Sequence, residues 1–538
     1  MATDKPRRER EPATAAEDAA ELDSLTREFR RHAGKISRQA AVVFAGTVFT
    51  VVAGYFFKIY VARVIGAEGL GIYALGLNTL SLFAVFASLG LPTTIARFVA
   101  RYRGIGQRER VRPLFFRALR VLILSSCALG GLMVLSSRWI SEVVYGEPDL
   151  ARYLPFFALL LPVGVVIGLC SGYLRGSKEV ARQVAITSFL RFPAKIGLTV
   201  ALFAFGWALP AYVAAEVSSQ LFAAAILAFA VARRLPAAAA AAPRRGLDRE
   251  VKIFAATMMG MNGLSFLTTK VDQVLLGILL PVEQVGVYSI AMTSALFVPI
   301  LLSSLNSIFG PIIAELHARG ETALLQRLFQ TTTKWCLGVT WPLVAVVLLF
   351  SQALMGLFGA EFEAGATCLS VLALGQMVNV SAGSAGYLLL MCGYQRAKIK
   401  AIIAMAILTV VLNLLLIPRW GILGAAAAGA IGLVITNLVW LWMVRYYLRI
   451  TPYNRGYLRL AVPIAASALA VFAVSWWSRA AGGDRLLWLL LALFSAYAAF
   501  LSTAGVLSLD RDDRIIARAV WARARAVARS LLGSGNDG

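Results

Sequence analysis

Apolar stretches of about twenty residues alternate with short polar segments along almost the whole chain. A helix rises about 1.5 Å per residue, so about twenty residues cross a hydrocarbon core roughly 30 Å thick. Runs of that length fall at 40–62, 72–95, 118–137, 154–174, 184–207, 209–231, 253–276, 286–312, 335–357, 366–391, 399–417, 421–444, 460–478 and 486–507. Backbone polar groups inside lipid must be satisfied within the segment, which leaves the helix as the solution for such runs. The pattern predicts an all-α integral membrane protein with about 14 transmembrane helices. Very tight turns are expected near 207–210 and 417–421.

Lysine and arginine set the orientation. With the N-terminus inside, the cytoplasmic segments hold about 42 of the 52 basic residues, and the opposite loops hold about six. The chain therefore reads as N-in and C-in. The segment 101–120 is strongly basic and suits either an anchor on anionic headgroups or a capture site for an anionic lipid head. The tail 511–530 has the pattern of an interfacial amphipathic helix.

Composition narrows the function classes. Of 538 residues, 59% are hydrophobic and 15% charged, against about 25% charged in soluble domains. The net charge of +24 reads as a cytoplasmic-side bias rather than a nucleic-acid surface, because the basic residues sit in the short segments between spans. Five scattered cysteines and two distant histidines make neither a disulfide framework nor a metal site. No catalytic signature appears, so the chain is read as a transporter and not an enzyme.

The chain also repeats itself. AEGLGIYAL at 67–75 resembles VEQVGVYSI at 282–290, aligning Glu68/Glu283, Gly71/Gly286 and Tyr73/Tyr288. SGYLRGSKEVAR at 171–182 resembles AGYLLLMCGYQR at 385–396 at nearly the same offset. Six spans separate the matching points, so the two halves point the same way. The expected organisation is a polar N-terminal arm (1–39), a first six-helix lobe (40–231), a cytoplasmic linker (232–252) and a second lobe (253–444). Two further helices (445–507) and a basic amphipathic tail (508–538) follow.

Six ionisable residues interrupt the spans: Lys58, Arg191, Lys195, Lys270, Asp272 and Glu216. A charge at bilayer depth costs about 2.5–3.5 kcal/mol even by insertion scales, so such residues face a wet interior, pair, or reach for the interface. Four of the six are cationic, which suits an anionic passenger. Lys58 and Lys270 either line a cavity or snorkel to headgroups. Arg191 and Lys195, four apart, share a helix face, and Pro193 between them loosens the span; Lys195 is expected in the substrate-binding cavity, and Arg191 either there or at the cytoplasmic interface. Lys270 and Asp272 project about 200° apart on a helix and need separate partners. Glu216 is the expected internal counter-charge or ion-coupling site. Asn78, Asn262, Asn306, Gln376, Asn379 and Asn413 suit either sugar hydroxyls or interhelical bonding.

The segments ARVIGAEGLGIYAL (62–75), ASLGLPTTIARFVA (87–100), KVDQVLLGILLPVEQVGVYSIA (270–291), LFGAEFEAGATCLSVLALG (357–375) and LNLLLIPRWGILGAAAA (412–428) carry a resemblance. Over roughly 40–505 the chain resembles the polysaccharide biosynthesis protein family. These are the oligosaccharide, O-antigen-type flippases of the multidrug/oligosaccharidyl-lipid/polysaccharide exporter superfamily. The resemblance implies a V-shaped pair of six-helix lobes around a cavity in which Lys58 and Lys270 match the family's cations. It implies alternating-access transfer of a polyprenyl-pyrophosphate-linked oligosaccharide across the bacterial inner membrane, with no cofactor beyond H+, Na+ or membrane-potential coupling. Its expected partners are the lipid-linked glycan, the membrane, and the glycosyltransferases and polymerase of the same pathway. A lipid II flippase and a multidrug/cation antiporter of the same superfamily are the alternatives.

Overall fold

The computed structural model describes residues 12–236, 247–481 and 483–507, with side chains from Ala45 onward except at 307, 308, 311 and 455. Residues 237–246 of the linker and the whole of the tail 511–530 lie outside the described residues. The described residues form helices and turns, with no strand. Helix begins at Pro12, within the segment expected as a polar arm.

Among the described residues, ten helices are long and apolar enough to cross a membrane, or eleven if the bent pair Val282–Ala295 and Ile300–Asn306 is one span. The difference from fourteen apolar runs has identifiable causes. Two helices, Ala45–Ser88 and Gln395–Leu448, are interrupted by non-helical glycines, Gly66 and Gly421. The chain folds back at both. Lys195 Nζ lies 6.0 Å from the Phe57 ring and 5.6 Å from the Tyr73 ring. A continuous helix would hold positions 57 and 73 about 24 Å apart. A Cβ on Gly432 would stand 2.8 Å from Thr409 Oγ1, whereas a continuous helix would separate these positions by about 34 Å. The remaining run, Arg249–Leu279, is broken at Lys270.

The turns recur with the sequence repeat. Left-handed backbone occurs at Gly106 and Gly320, Gly146 and Gly359, Lys178 and Gly393, and Gly206 and Gly421. The members of each pair lie about 214 positions apart. Gly66 likewise matches the break at Pro281 that precedes Val282–Ala295. Apolar sequence repeats easily by chance, but left-handed turns are few and conformationally demanding, so their recurrence is the stronger sign of a duplicated unit.

Glycines also let the two halves meet. A Cβ on Gly71 would stand 2.0 Å from the Val282 carbonyl oxygen, and one on Gly286 would stand 2.0 Å from the Ala67 carbonyl oxygen. The contacts are reciprocal under the repeat, as an approximate two-fold axis requires. Lipid supplies no hydrophobic drive between helices, so this close approach supplies van der Waals contact instead. Glu361 Oε1 accepts the Ala67 N–H at 3.0 Å, capping the helix after Gly66 from the other half of the chain. Arg63 donates to the Leu357 carbonyl at 2.8 Å. At the opposite end, Gly90 packs against the backbone of Ala255 and Met259. There the Arg97 guanidinium lies 4.3 Å from the Phe254 ring centroid and Arg101 pairs with Glu250 at 2.7 Å. The two halves therefore touch at both ends of the bundle.

The last two helices, Ala461–Ala481 and Arg485–Leu507, pack on each other and on Thr322–Leu349. Gly338 receives the Phe500 ring, and Tyr497 donates to the Val339 carbonyl at 3.1 Å.

Candidate functional site

Five of the six intramembrane charges separate into a closed cluster and a more open pair, and Lys58 stands apart from both. The closed cluster is built on 180–204 and Leu209–Ala232. Pro193 has no N–H to offer the carbonyl four residues earlier, and the seven residues before Phe192, Ala185–Arg191, are π-helical. Arg191 and Lys195 both reach Glu216, with Nη2 to Oε1 at 2.7 Å and Nζ to Oε2 at 2.6 Å. Gln220 donates to Glu216 Oε1 at 2.8 Å and Tyr73 donates to Oε2 at 3.2 Å. Lys195 also donates to the hydroxyls of Tyr73 and Tyr212 at 3.4 and 3.3 Å. Glu216 is therefore the counter-charge of this cluster. Lys195 and Glu216 are buried, while Arg191 keeps 29% of its side-chain exposure and connects the cluster to the surroundings.

Lys58 bridges the halves. Its amine donates to Thr293 Oγ1 at 2.7 Å and to the Ser289 carbonyl at 3.4 Å, both on Val282–Ala295. One turn earlier, Tyr55 meets Ser294 at 3.2 Å. Lys58 lies within Coulomb range of both Lys270 and Lys195.

Lys270 and Asp272 line a hollow of about 580 Å³. Its walls come from the second half of the chain, and include Tyr288, Gln376, Thr409 and Trp440. The sequence reading put both charges on one continuous helix. The helix instead breaks at Lys270, between Arg249–Thr269 and Val271–Leu279. Each charge still has its own partner. Tyr288 donates to Asp272 Oδ2 at 2.6 Å, the Gln273 N–H donates to Oδ1 at 2.8 Å, and Lys270 reaches Gln273 Oε1 at 3.5 Å. A second hollow of about 770 Å³ is an apolar groove along 48–60 and 196–200, with Phe49, Phe56, Phe57 and Tyr60 among its walls. Arg191, Lys195, Glu216 and Lys58 line neither hollow, so of the four expected cavity cations only Lys270 stands in the wall of one.

Sequence reasoning had assigned no role to the phenols. Tyr73 and Tyr288 are repeat-related, and each donates to a buried-side carboxylate, Glu216 or Asp272. Their recurrence was visible; the acid each would meet was not. Of the amides, Gln376 lines the 580 Å³ hollow and accepts from Asn379 at 3.2 Å, whereas Asn413 bonds the Thr409 carbonyl of its own helix. The described residues contain no group of three or more His, Cys, Asp or Glu able to hold a metal ion.

Among solved structures, the fold is similar to a lipid II flippase MurJ in an inward closed conformation, with TM-score 0.70, 12% identity, and coverage of 87% of this chain and 98% of that one. It is also similar to an inward-facing multidrug resistance MATE family transporter of the MOP superfamily, with TM-score 0.60, 14% identity, and coverage of 76% and 98%. These likenesses give the chain the fold of the MOP-superfamily transporters. By sequence it is 23% identical over 172 residues to the lipid II flippase MurJ of Bacillus subtilis, covering 29% of this chain and 32% of that protein. It is 25% identical over 172 residues to a probable low-salt glycan biosynthesis flippase, Agl15, of Haloferax volcanii, covering 31% of this chain and 36% of that protein. The matched stretches thus span about a third of these curated relatives. The polysaccharide biosynthesis protein family matches residues 36–317, more than half of the chain, and the chain belongs to that family.

Proposed function

We propose that the protein is a flippase that carries a polyprenyl-pyrophosphate-linked oligosaccharide from the cytoplasmic to the outer leaflet of the bacterial inner membrane. The observation that carries this reading is the position of the open charge cluster between two closed ends. Counting 1.5 Å per residue, Lys270 lies about 18 Å along the chain from the contact at Val282 and about 22 Å from the contact at Ala255. A largely apolar hollow carrying a few charged and polar groups, with contacts above and below it, suits a passenger admitted from one side at a time. The lobes that rock are 40–231 and 253–444, joined by the cytoplasmic linker 232–252, with 445–507 appended. The polar N-terminal arm and the basic tail face the cytoplasm.

The residues divide the work. Lys270 and Lys58 offset desolvation of the pyrophosphate. The Arg191–Lys195–Glu216 cluster holds the first lobe's helices in register, and Arg191 is its accessible end. The polyprenyl tail remains in lipid. An interior-negative potential assists outward movement by roughly 2.3 kcal/mol per charge per 100 mV, with H+ or Na+ as further coupling routes. Glycosyltransferases upstream and a polymerase downstream are the expected partners. Purified protein in proteoliposomes should expose a fluorescent lipid-linked glycan to an external quencher, and Lys270→Gln should lower the rate at least tenfold at equal protein level. Undiminished flipping in Lys58→Gln and Lys270→Gln together removes the cationic pathway.

The relatives that are lipid II flippases favour a second reading, in which the passenger is the peptidoglycan precursor. Rescue of a strain depleted of its peptidoglycan flippase separates the two. A cationic-drug antiporter fits less well, because Lys270 places a positive charge beside Asp272, the one acid among the described residues of the hollow's wall.

A further inference from the structure

The 580 Å³ hollow within the second half of the chain has a chemistry of its own. We infer that it seats the lipid-proximal sugar of the glycan, with Lys270 holding the adjoining phosphate at its mouth. This inference rests on the flippase reading and deepens it.

Three kinds of occupant can be compared. A metal or ammonium ion would meet the Lys270 amine as well as Asp272, and both oxygens of that acid already accept hydrogen bonds, from the Tyr288 hydroxyl and the Gln273 N–H. One carboxylate beside an amine is a poor cation site, because the like charge of Lys270 opposes a second cation there, while the acid's remaining lone pairs can still accept from neutral hydroxyls. An acyl or isoprenyl chain would desolvate the amine, carboxylate, amide and phenol without replacing their hydrogen bonds. It has a better seat in the apolar groove along 48–60.

A pyranose ring fits both kinds of wall. Its hydroxyls suit planar acceptors and donors, and its C–H face suits an aromatic or aliphatic surface. Asp272 and Gln376 supply the planar groups, and Trp440, Met292 and Leu372 supply apolar area. The Trp440 indole N–H is buried and without a partner among the described residues. Gly386 makes room for that indole, since a Cβ there would stand 2.5 Å from its Cε3, and Lys398 lies 4.9 Å from the ring centroid. Gly386 and Lys398 thus pack against the same indole that forms part of the hollow's wall. At the rim, Thr268 and Thr269 are exposed and Lys270 is half-buried, with Gln273 at 3.5 Å its recorded hydrogen-bond partner. An ammonium has three donors, so this one retains capacity for a phosphate oxygen. The volume lies within the usual range for small-ligand sites, about 300–1,000 Å³, and holds one or two rings rather than a whole oligosaccharide.

The test compares polyprenyl pyrophosphate with the same lipid carrying one N-acetylglucosamine or one galactose. Binding is measured on full-length protein in nanodiscs of phosphatidylethanolamine and phosphatidylglycerol. At least one sugar should tighten binding tenfold or more. Gln376→Ala and Trp440→Phe should each erase most of that gain and leave the sugar-free affinity unchanged, while Lys270→Gln weakens all three compounds alike. If neither sugar tightens binding, or if Gln376→Ala and Trp440→Phe weaken every compound equally at unchanged melting temperature, the sugar seat is wrong although flipping persists. If no compound binds and none is flipped in proteoliposomes, the flippase reading falls with it.

Discussion

Adding one methyl group at Gly71 tests whether the reciprocal glycine contact is a closed gate or a permanent seam. In Gly71→Ala the new Cβ would lie 2.0 Å from the Val282 oxygen and 2.8 Å from its carbonyl carbon. Both obstacles are backbone atoms, so no side chain can rotate away, and the helix Val282–Ala295 must retreat by an ångström or more. Overpacking of this kind costs about 1–3 kcal/mol. If the halves separate here during the cycle, the cost falls on the closed arrangement alone and shifts its population by about 5- to 150-fold. Gly286→Ala makes the mirror clash on Ala67, and the double variant should add little, because one separation relieves both. Spin labels at the exposed positions Glu68 and Glu283, in a background with the exposed Cys127 replaced by Ser, report the distance across the contact. The native protein should give a dominant short distance, and either alanine a dominant longer one. Gly131→Ala, where the added Cβ meets nothing within 4 Å, is the control. An unchanged distance distribution in both glycine variants, at unchanged melting temperature, would refute the gate.

Three further outcomes follow from the same geometry. Glu216→Gln leaves Lys195 and Arg191 without their carboxylate, so unfolding in detergent should be easier by about 3–5 kcal/mol, and Arg191→Leu, Lys195→Met and Glu216→Leu together should recover most of the loss. Glu361→Ala removes the acceptor at the Ala67 N–H and should weaken the same end contact by about 1 kcal/mol, read as a lengthened Glu68–Glu283 label distance. Glu147, in the loop before Leu150, has its carboxyl raised above the ordinary 4.5, first by burial and then by Asp149, Glu68 and Glu283. The folded state thus binds that proton more tightly, and the stability it adds in acid is lost as pH rises from about 4.5 through the raised value. Glu147→Gln should flatten the fall in melting temperature between pH 4.5 and 7; an identical fall in the variant removes the assignment.

The sequence by itself settled the membrane class and the helices and pointed to the duplication, because each rests on local or periodic rules. A run of twenty apolar residues has one way to satisfy its backbone in lipid. Gly106 and Gly320, or Gly206 and Gly421, recur because each unit needs the same left-handed turn. Even the reciprocal glycines were legible as a pair, Gly71 with Gly286, although nothing local said that each faces the other's carbonyl. Which charges meet belonged to the tertiary structure. Lys195 and Lys270 look alike in sequence, each a lysine inside an apolar run. Packing gives one an acid, two phenols and no hollow, and gives the other a helix break at the edge of one. Charge placement depends on helix rotation and on partners more than a hundred positions away, such as Tyr73 for Lys195. Hydropathy is a property of single segments and carries no record of those distances.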